Sequence, residues 1–464
     1  MPPASVVDAF IEAGSVSLEV SHMAGGLEEA EKIRQAHPDV VNATIHAAAV
    51  FGDDSAVAAC LAADPASAAV RGGPRGWDPL TYLCFSRYLR IDRARSGAFV
   101  RAATRLLDAG ASASTGFYEK AHSPNPEFES VLYGAAGVAH DAALTRLLLE
   151  RGADPNDGEV TYHAPEGWDP DVIAALVESG RLNGASLATM LLRKHDWHDE
   201  PGVRYLLAHG ADPNGQTVWG LTPLQQAVRR DNAATIVEAL LAHGADPTRR
   251  MQPRAAHGRD DVDALAVAAW RSRADLLALF EYAGAPIPAD GVPGFLVACA
   301  RGDEAAARAL LAANPDVSPA CRVSGGEWLA LAAGNGNVAA LRCLLAIGVP
   351  IGAIWAEGDG YFGISPATTA LHVAAWRAQH DAVRYLLGQA APVHATDGAG
   401  FTPLQLAVRA CTISYWRERR QPTSIAALLD AGAIASRVVV PTGYDEADRL
   451  LIDARGPSAP NAER

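Results

Sequence analysis

Leu206-Leu207-Ala208-His209-Gly210-Ala211-Asp212-Pro213-Asn214, followed closely by Leu221-Thr222-Pro223-Leu224, is the stretch from which the fold can be read. A glycine after an apolar pair supplies the left-handed residue that ends a helix, and the Asp-Pro behind it blocks continuation and favours a turn. Thr-Pro then marks a new start, because proline loses nothing in a first helical turn and the threonine before it can cap the open amides. One helix therefore stops at Gly210 and the next starts after Thr222. The same stop recurs as Leu106-Leu107 with Gly110, Leu147-Leu148 with Gly152, Leu240-Leu241 with Gly244 and Leu428-Leu429 with Gly432. Degenerate copies at Gly180, Gly284, Asn314, Gly348 and Ala390 complete a series spaced by 28 to 42 residues. A period of this size replaces a count of independent domains with an array of small units. Each unit has room for one helix, a turn and an antiparallel helix, which cannot bury an apolar face alone and must stack on its neighbours.

Residues 152–156 and 210–214 both read Gly-Ala-Asp-Pro-Asn, 244–248 reads Gly-Ala-Asp-Pro-Thr, and Thr-Pro-Leu opens units at 222–224 and 402–404, with Asp78-Pro79-Leu80 as a variant. Over roughly residues 40 to 435 the chain resembles the ankyrin repeats. The resemblance implies an all-α ankyrin-repeat solenoid of stacked helix-turn-helix units, with β-turn fingers and loop insertions. It implies about eleven partly degenerate repeats of bacterial type, starting near residues 43, 77, 129, 160, 185, 221, 263, 294, 327, 368 and 401. Residues 1–40 are then an N-terminal segment and divergent cap, 41–435 the array, and 436–464 a C-terminal cap and a disordered tail. His46, His163 and His372 align with the family's histidine, which tethers neighbouring turns through backbone hydrogen bonds.

Charge and composition narrow the function. The 39 Lys+Arg against 53 Asp+Glu leave a formal charge of −14, which repels nucleic acid and anionic membranes at long range. No apolar run is long enough to span a bilayer, and the first basic residue, Lys32, comes too late for a secretory leader. A cytoplasmic protein is expected. The six cysteines form no C-x-x-C pair, which argues against a zinc ribbon. No Walker loop, G-x-S-x-G elbow, H-E-x-x-H or kinase signature occurs, so no cofactor is expected and the repeats themselves must carry the activity. The short His195-Asp-Trp-His198-Asp run looks like a metal site but has no third ligand at helical spacing, so no metal is assigned.

Departures from the repeat pattern supply the candidate residues. Residues 115–128 and 353–366 are too long for tight turns and are read as fingers on the concave side, and Arg-bearing insertions occur at 85–95 and 415–420. Trp77 and Trp168 sit in identical Gly-Trp-Asp-Pro tetrapeptides, and Trp197, Trp219 and Trp355 lie in or beside loops. With Tyr118, Glu159, Tyr162 and Tyr361 they make a candidate surface for a protein partner, a small-molecule ligand being left open. Trp270, Trp328 and Trp376 fall on helix positions and are read as packing. The alternative is an enzyme, a hydrolase or lyase, working in the groove of the second to fifth units. There His163 would act as acid or base, Tyr133 or Tyr82 would donate a proton, Glu129 would add a carboxylate, and Arg87 would hold an anionic substrate.

Overall fold

The computed structural model describes residues 2–18, 21–119, 124–167, 170–217, 219–250, 262–413 and 419–455. Its helices begin where capping chemistry sets them. Thr222 Oγ1 accepts the Gln225 amide at 3.2 Å while Gln225 Oε1 accepts the Thr222 amide at 2.8 Å, a reciprocal cap that opens helix Pro223–Arg229. Thr402 and Gln405 repeat it ahead of Pro403–Thr412, and Asp78 caps Pro79–Cys84 through the Thr81 amide at 3.0 Å. The predicted stops hold as well, with Gly110, Gly152, Gly210, Gly244, Gly284, Gly348 and Gly432 all at positive φ, and even Ala390 at 60°. Asn314 is the exception: its φ is −111°, and the next helix, Val317–Gly334, begins ten residues before the start expected near 327. No Gly-Ala-Asp-Pro follows Asn314, and Pro319 falls within the first helical turn, where it is tolerated.

The chain forms two compact units. One comprises residues 1–230 with 242–245, and the other 231–241 with 246–464. Within the first, leading helices pack side by side: Ile45–Phe51 on Pro79–Cys84, Gly158–His163 on Gly184–Asp196, and the latter on Pro223–Arg229. Following helices form a second layer, with Asp54–Ala63 on Ser96–Asp108 and Ser96–Asp108 on Ala142–Glu150. Small side chains permit this spacing, as in the wholly buried Ala47-Ala48-Ala49, while Leu106, Leu148 and Leu206 fill the space between layers. In the second unit Val317–Gly334 packs on Ala370–Trp376, which packs on Pro403–Thr412. The only sheets among the described residues are two antiparallel hairpins, Gly116–Tyr118 with Phe128–Ser130 and Ile354–Trp355 with Thr368–Thr369. Helices Ala4–Gly14 and Glu28–Ala36 lie before residue 41, and Asp445–Arg455 lies after residue 435.

The second unit contains a buried ionic centre. Asp231, in the left-handed conformation at φ 51°, accepts two hydrogen bonds from Arg271, at 2.6 and 2.5 Å, and one from Arg377 at 2.7 Å. Asn335 Nδ2 adds a contact at 3.2 Å. Burial alone would raise the Asp231 carboxyl, but Arg271 and Arg377 overcome that and hold it well below the usual carboxylate range. Both guanidinium groups also lie over the Phe362 ring, at 5.0 and 4.6 Å.

The second finger is not a projection. Residues 353–366 fold back through an Asp359–Ile364 bridge, and Trp355, Phe362 and Ile364 join the core with Ala330, Leu331 and Val373. Gly326 makes this possible, since a Cβ there would lie 2.4 Å from the Ile354 carbonyl oxygen. Most of the insertion at 415–420, and Trp168, lie outside the described residues.

Candidate functional site

Three segments of the first unit converge on His163. Asp157 caps helix Gly158–His163, and a following 3₁₀ turn, Ala164–Glu166, brings Glu166 back beneath the imidazole. His163 Nδ1 is 3.0 Å from Glu166 Oε1, and Nε2 is 3.4 Å from Glu159 Oε2. Behind the ring runs a widened π-helical turn, Gly134–Val138, in which the Ala139 amide bonds to the Gly134 carbonyl at 2.9 Å. Gly137 lets that turn approach, because a Cβ there would meet the Tyr133 ring at 2.7 Å and His163 Cβ at 2.8 Å. The third segment is N-terminal: the His22 ring stands edge-on to His163, centroids 5.1 Å apart, with Nδ1 3.4 Å from the Tyr133 hydroxyl.

Aromatic rings and charge surround the imidazole. Tyr133 and Tyr162 lie 5.1 and 4.7 Å from it, centroid to centroid. Tyr162 in turn carries the Arg193 guanidinium at 3.9 Å on its ring and the Trp219 ring at 5.4 Å. Arg193 reaches Glu166 at 2.9 Å and also pairs with Asp196. Burial pulls the His163 pKa down, but the hydrogen bonds and charges of Glu159 and Glu166 outweigh it and raise it to about 9. Burial, then the charge of Glu159, pushes Glu129 up to about 8. Burial and the neighbouring His163 charge lower His22.

His163 therefore differs from its two aligned counterparts. His46 Nε2 meets the Val70 carbonyl at 2.9 Å and His372 Nε2 meets that of Ala395 at 3.0 Å, each tethering a neighbouring turn as expected. His163 binds carboxylates instead, and a ring that keeps its proton to about pH 9 is a poor general base at neutral pH.

The five residues of the enzymatic alternative do not form one constellation. Tyr133, Glu129 and His163 share an environment. The Tyr82 hydroxyl, however, is spent on the Gly72 carbonyl at 3.1 Å and the Arg75 amide at 2.9 Å. Arg87 reaches the Ala13 carbonyl at 3.1 Å, and Arg90, on the same inserted helix Arg87–Ile91, reaches those of Met23 and Gly25 at 2.8 and 2.7 Å. The insertion thus pins the N-terminal segment and presents no anion clamp.

The partner-binding candidates divide by exposure. Trp77, 4% exposed, stacks on Phe117 at 4.2 Å, and Trp355, 5% exposed, is in the core, so neither offers a ring to a partner. Tyr361 is half-buried against the same cluster as Trp355, and Trp197, Glu159 and Tyr162 are half-buried. Trp219 is 37% exposed. Tyr118 is 66% exposed and lies 5.1 Å from Phe128, itself 37% exposed, on the hairpin whose inward residue is Phe117. His195 turns Nδ1 to its own helix, 2.7 Å from the Leu191 carbonyl. The sequence reading missed His22 and Phe128. No local motif marks the first, whereas strict alternation with Tyr118 across the hairpin could have indicated the second.

Residues 295–397 match the family model described as ankyrin repeats (3 copies), and residues 191–241 match the one described as ankyrin repeats (many copies). Among solved structures, the ankyrin repeat domain of human ASB11 is similar at 20% identity, covering 52% of this chain and 97% of its own, with a TM-score of 0.23. No curated protein matches by sequence. The chain contains ankyrin repeats, and its fold is of the all-α ankyrin-repeat class. Repeats of this kind generally mediate protein–protein interaction.

Proposed function

We propose that this chain is a bacterial, cytoplasmic binding or scaffold protein of about eleven ankyrin repeats. It recognises a protein partner through the concave face that the family resemblance implies. The single observation that carries the reading is the Tyr118–Phe128 pair, two exposed rings on a hairpin anchored beneath by Phe117 against Trp77. An anchored aromatic contact loses little conformational freedom on binding, which favours affinity. Glu119 and Glu127 flank the pair, and the formal charge of −14 has the same sign. The complementary partner is a basic segment with an apolar side chain to cover the rings.

The test is affinity capture from the source cells with the wild-type chain and a Tyr118→Ala/Phe128→Ala variant. Proteins retained by the first and lost by the second, and released as salt is raised, support the reading. Identical sets of retained proteins refute it.

A further inference from the structure

We propose that His22, His163 and Glu166 form a site for a divalent transition-metal ion of the zinc type, which ties the N-terminal segment to the end of helix Gly158–His163. One ligand atom from each of the three lies within 4.8 Å of the others. Two imidazoles and a carboxylate are a donor set suited to zinc, three protein ligands leaving a fourth position for water.

Three further observations point the same way. The separation of His163 Nδ1 from Glu166 Oε1, 3.0 Å, is close to the roughly 3.3 Å that two ligands span across a tetrahedral ion with bonds of about 2.05 Å. The ion would need little rearrangement to enter between them. Glu159 holds the other ring nitrogen of His163 at 3.4 Å, as the outer carboxylate of a carboxylate–histidine–metal triad does. His22 Nε2 is buried and has no hydrogen-bond partner, an unsatisfied group of the kind an absent ion explains.

Glu159 and Glu166 hold the two ring nitrogens of His163, Arg193 shares Glu166, and an ion bound at Nδ1 displaces the proton there. A divalent ion takes the place of that proton at the point where two ligating groups already face each other. No sequence motif marks the site, because His22 lies far from Glu166 in the chain. Glu159, His163 and Glu166 lie close in sequence, but Glu159 faces the other ring nitrogen of His163.

The experiment uses the untagged full chain freed of metal by a chelator and titrated with Co²⁺, whose visible d–d absorption reports low-coordinate nitrogen and oxygen ligands. The expected result is one Co²⁺ per chain, an absorption band abolished by Zn²⁺, and reduced amide exchange at residues 21–25 in the loaded protein. His22→Ala, a change in a half-buried loop residue, weakens Co²⁺ binding at least 100-fold by removing a ligand, and Glu159→Gln weakens it by about 10-fold through the outer contact. His209→Ala, at an exposed histidine, leaves it unchanged. No Co²⁺ band, or equal affinity in wild type and His22→Ala while both give the same circular dichroism, overturns the proposal.

Discussion

Replacing Asp231 with asparagine tests the energetics of the second unit. The substitution keeps the side chain's shape and removes the charge that Arg271 and Arg377 share, and both guanidinium groups are essentially inaccessible to solvent. Asp359, 3.8 Å from Arg271, remains beside that guanidinium. Breaking a buried pair by removing one partner costs about 3–5 kcal/mol, because the surviving charge stays desolvated. Two stranded guanidinium groups place this case at the upper end. In a unit of this size each kcal/mol lowers the melting temperature by about 2–4 °C, so the expected drop is about 10–20 °C. Differential scanning calorimetry measures it, and native-state amide exchange, read separately for the two units, assigns it to the one that holds Asp231. A loss below about 1 kcal/mol would refute the reasoning, since water would then be solvating the arginines.

Trp77→Ala removes the ring on which Phe117 stacks and should cost about 3–5 kcal/mol, whereas Tyr118→Ala on the opposite face should cost under about 0.5 kcal/mol. Chemical denaturation of the two variants checks the contrast. Acid should weaken the first unit below pH 6.5. Burial holds His140 and His195 near pKa 4, below the unfolded value of 6.5. The unfolded chain therefore takes up protons first as pH falls, and stability is lost between pH 6.5 and 4, by at most about 3 kcal/mol per ring. Glu129 near 8 and His163 near 9 act in the opposite sense, His163 only above pH 6.5 and Glu129 down to its unfolded value of 4.5, so the two buried rings prevail below pH 6.5 and a urea midpoint that is lower at pH 5 than at pH 6.2 is the expected observation.

Much of the fold was legible because its signals are local. Thr222, Thr402 and Asp78 cap through neighbours three residues away, and Gly110 or Gly210 needs only its own left-handed conformation to end a helix. The failures are long-range. Asp231 follows Arg229 and Arg230 and reads as surface charge, yet stacking brings Arg271 and Arg377 onto it. The recurring Ala-Ala-Trp-Arg at 268–271 and 374–377 was the available signal. Trp355 was misread because a loop residue is exposed only if the loop projects, and the Asp359–Ile364 bridge folds this one into the core. His163 was assigned a family role that Glu159 and Glu166 pre-empt, and His22 reaches it through tertiary packing alone.

The most direct test of a binding role is the affinity of the recovered partner for wild type and for Tyr118→Ala/Phe128→Ala, measured by titration calorimetry at low and high salt. Losing two aromatic anchors of about 2 kcal/mol each should weaken binding by roughly a thousandfold at unchanged melting temperature, with affinity falling as salt rises. Equal affinities for the two proteins would contradict the account.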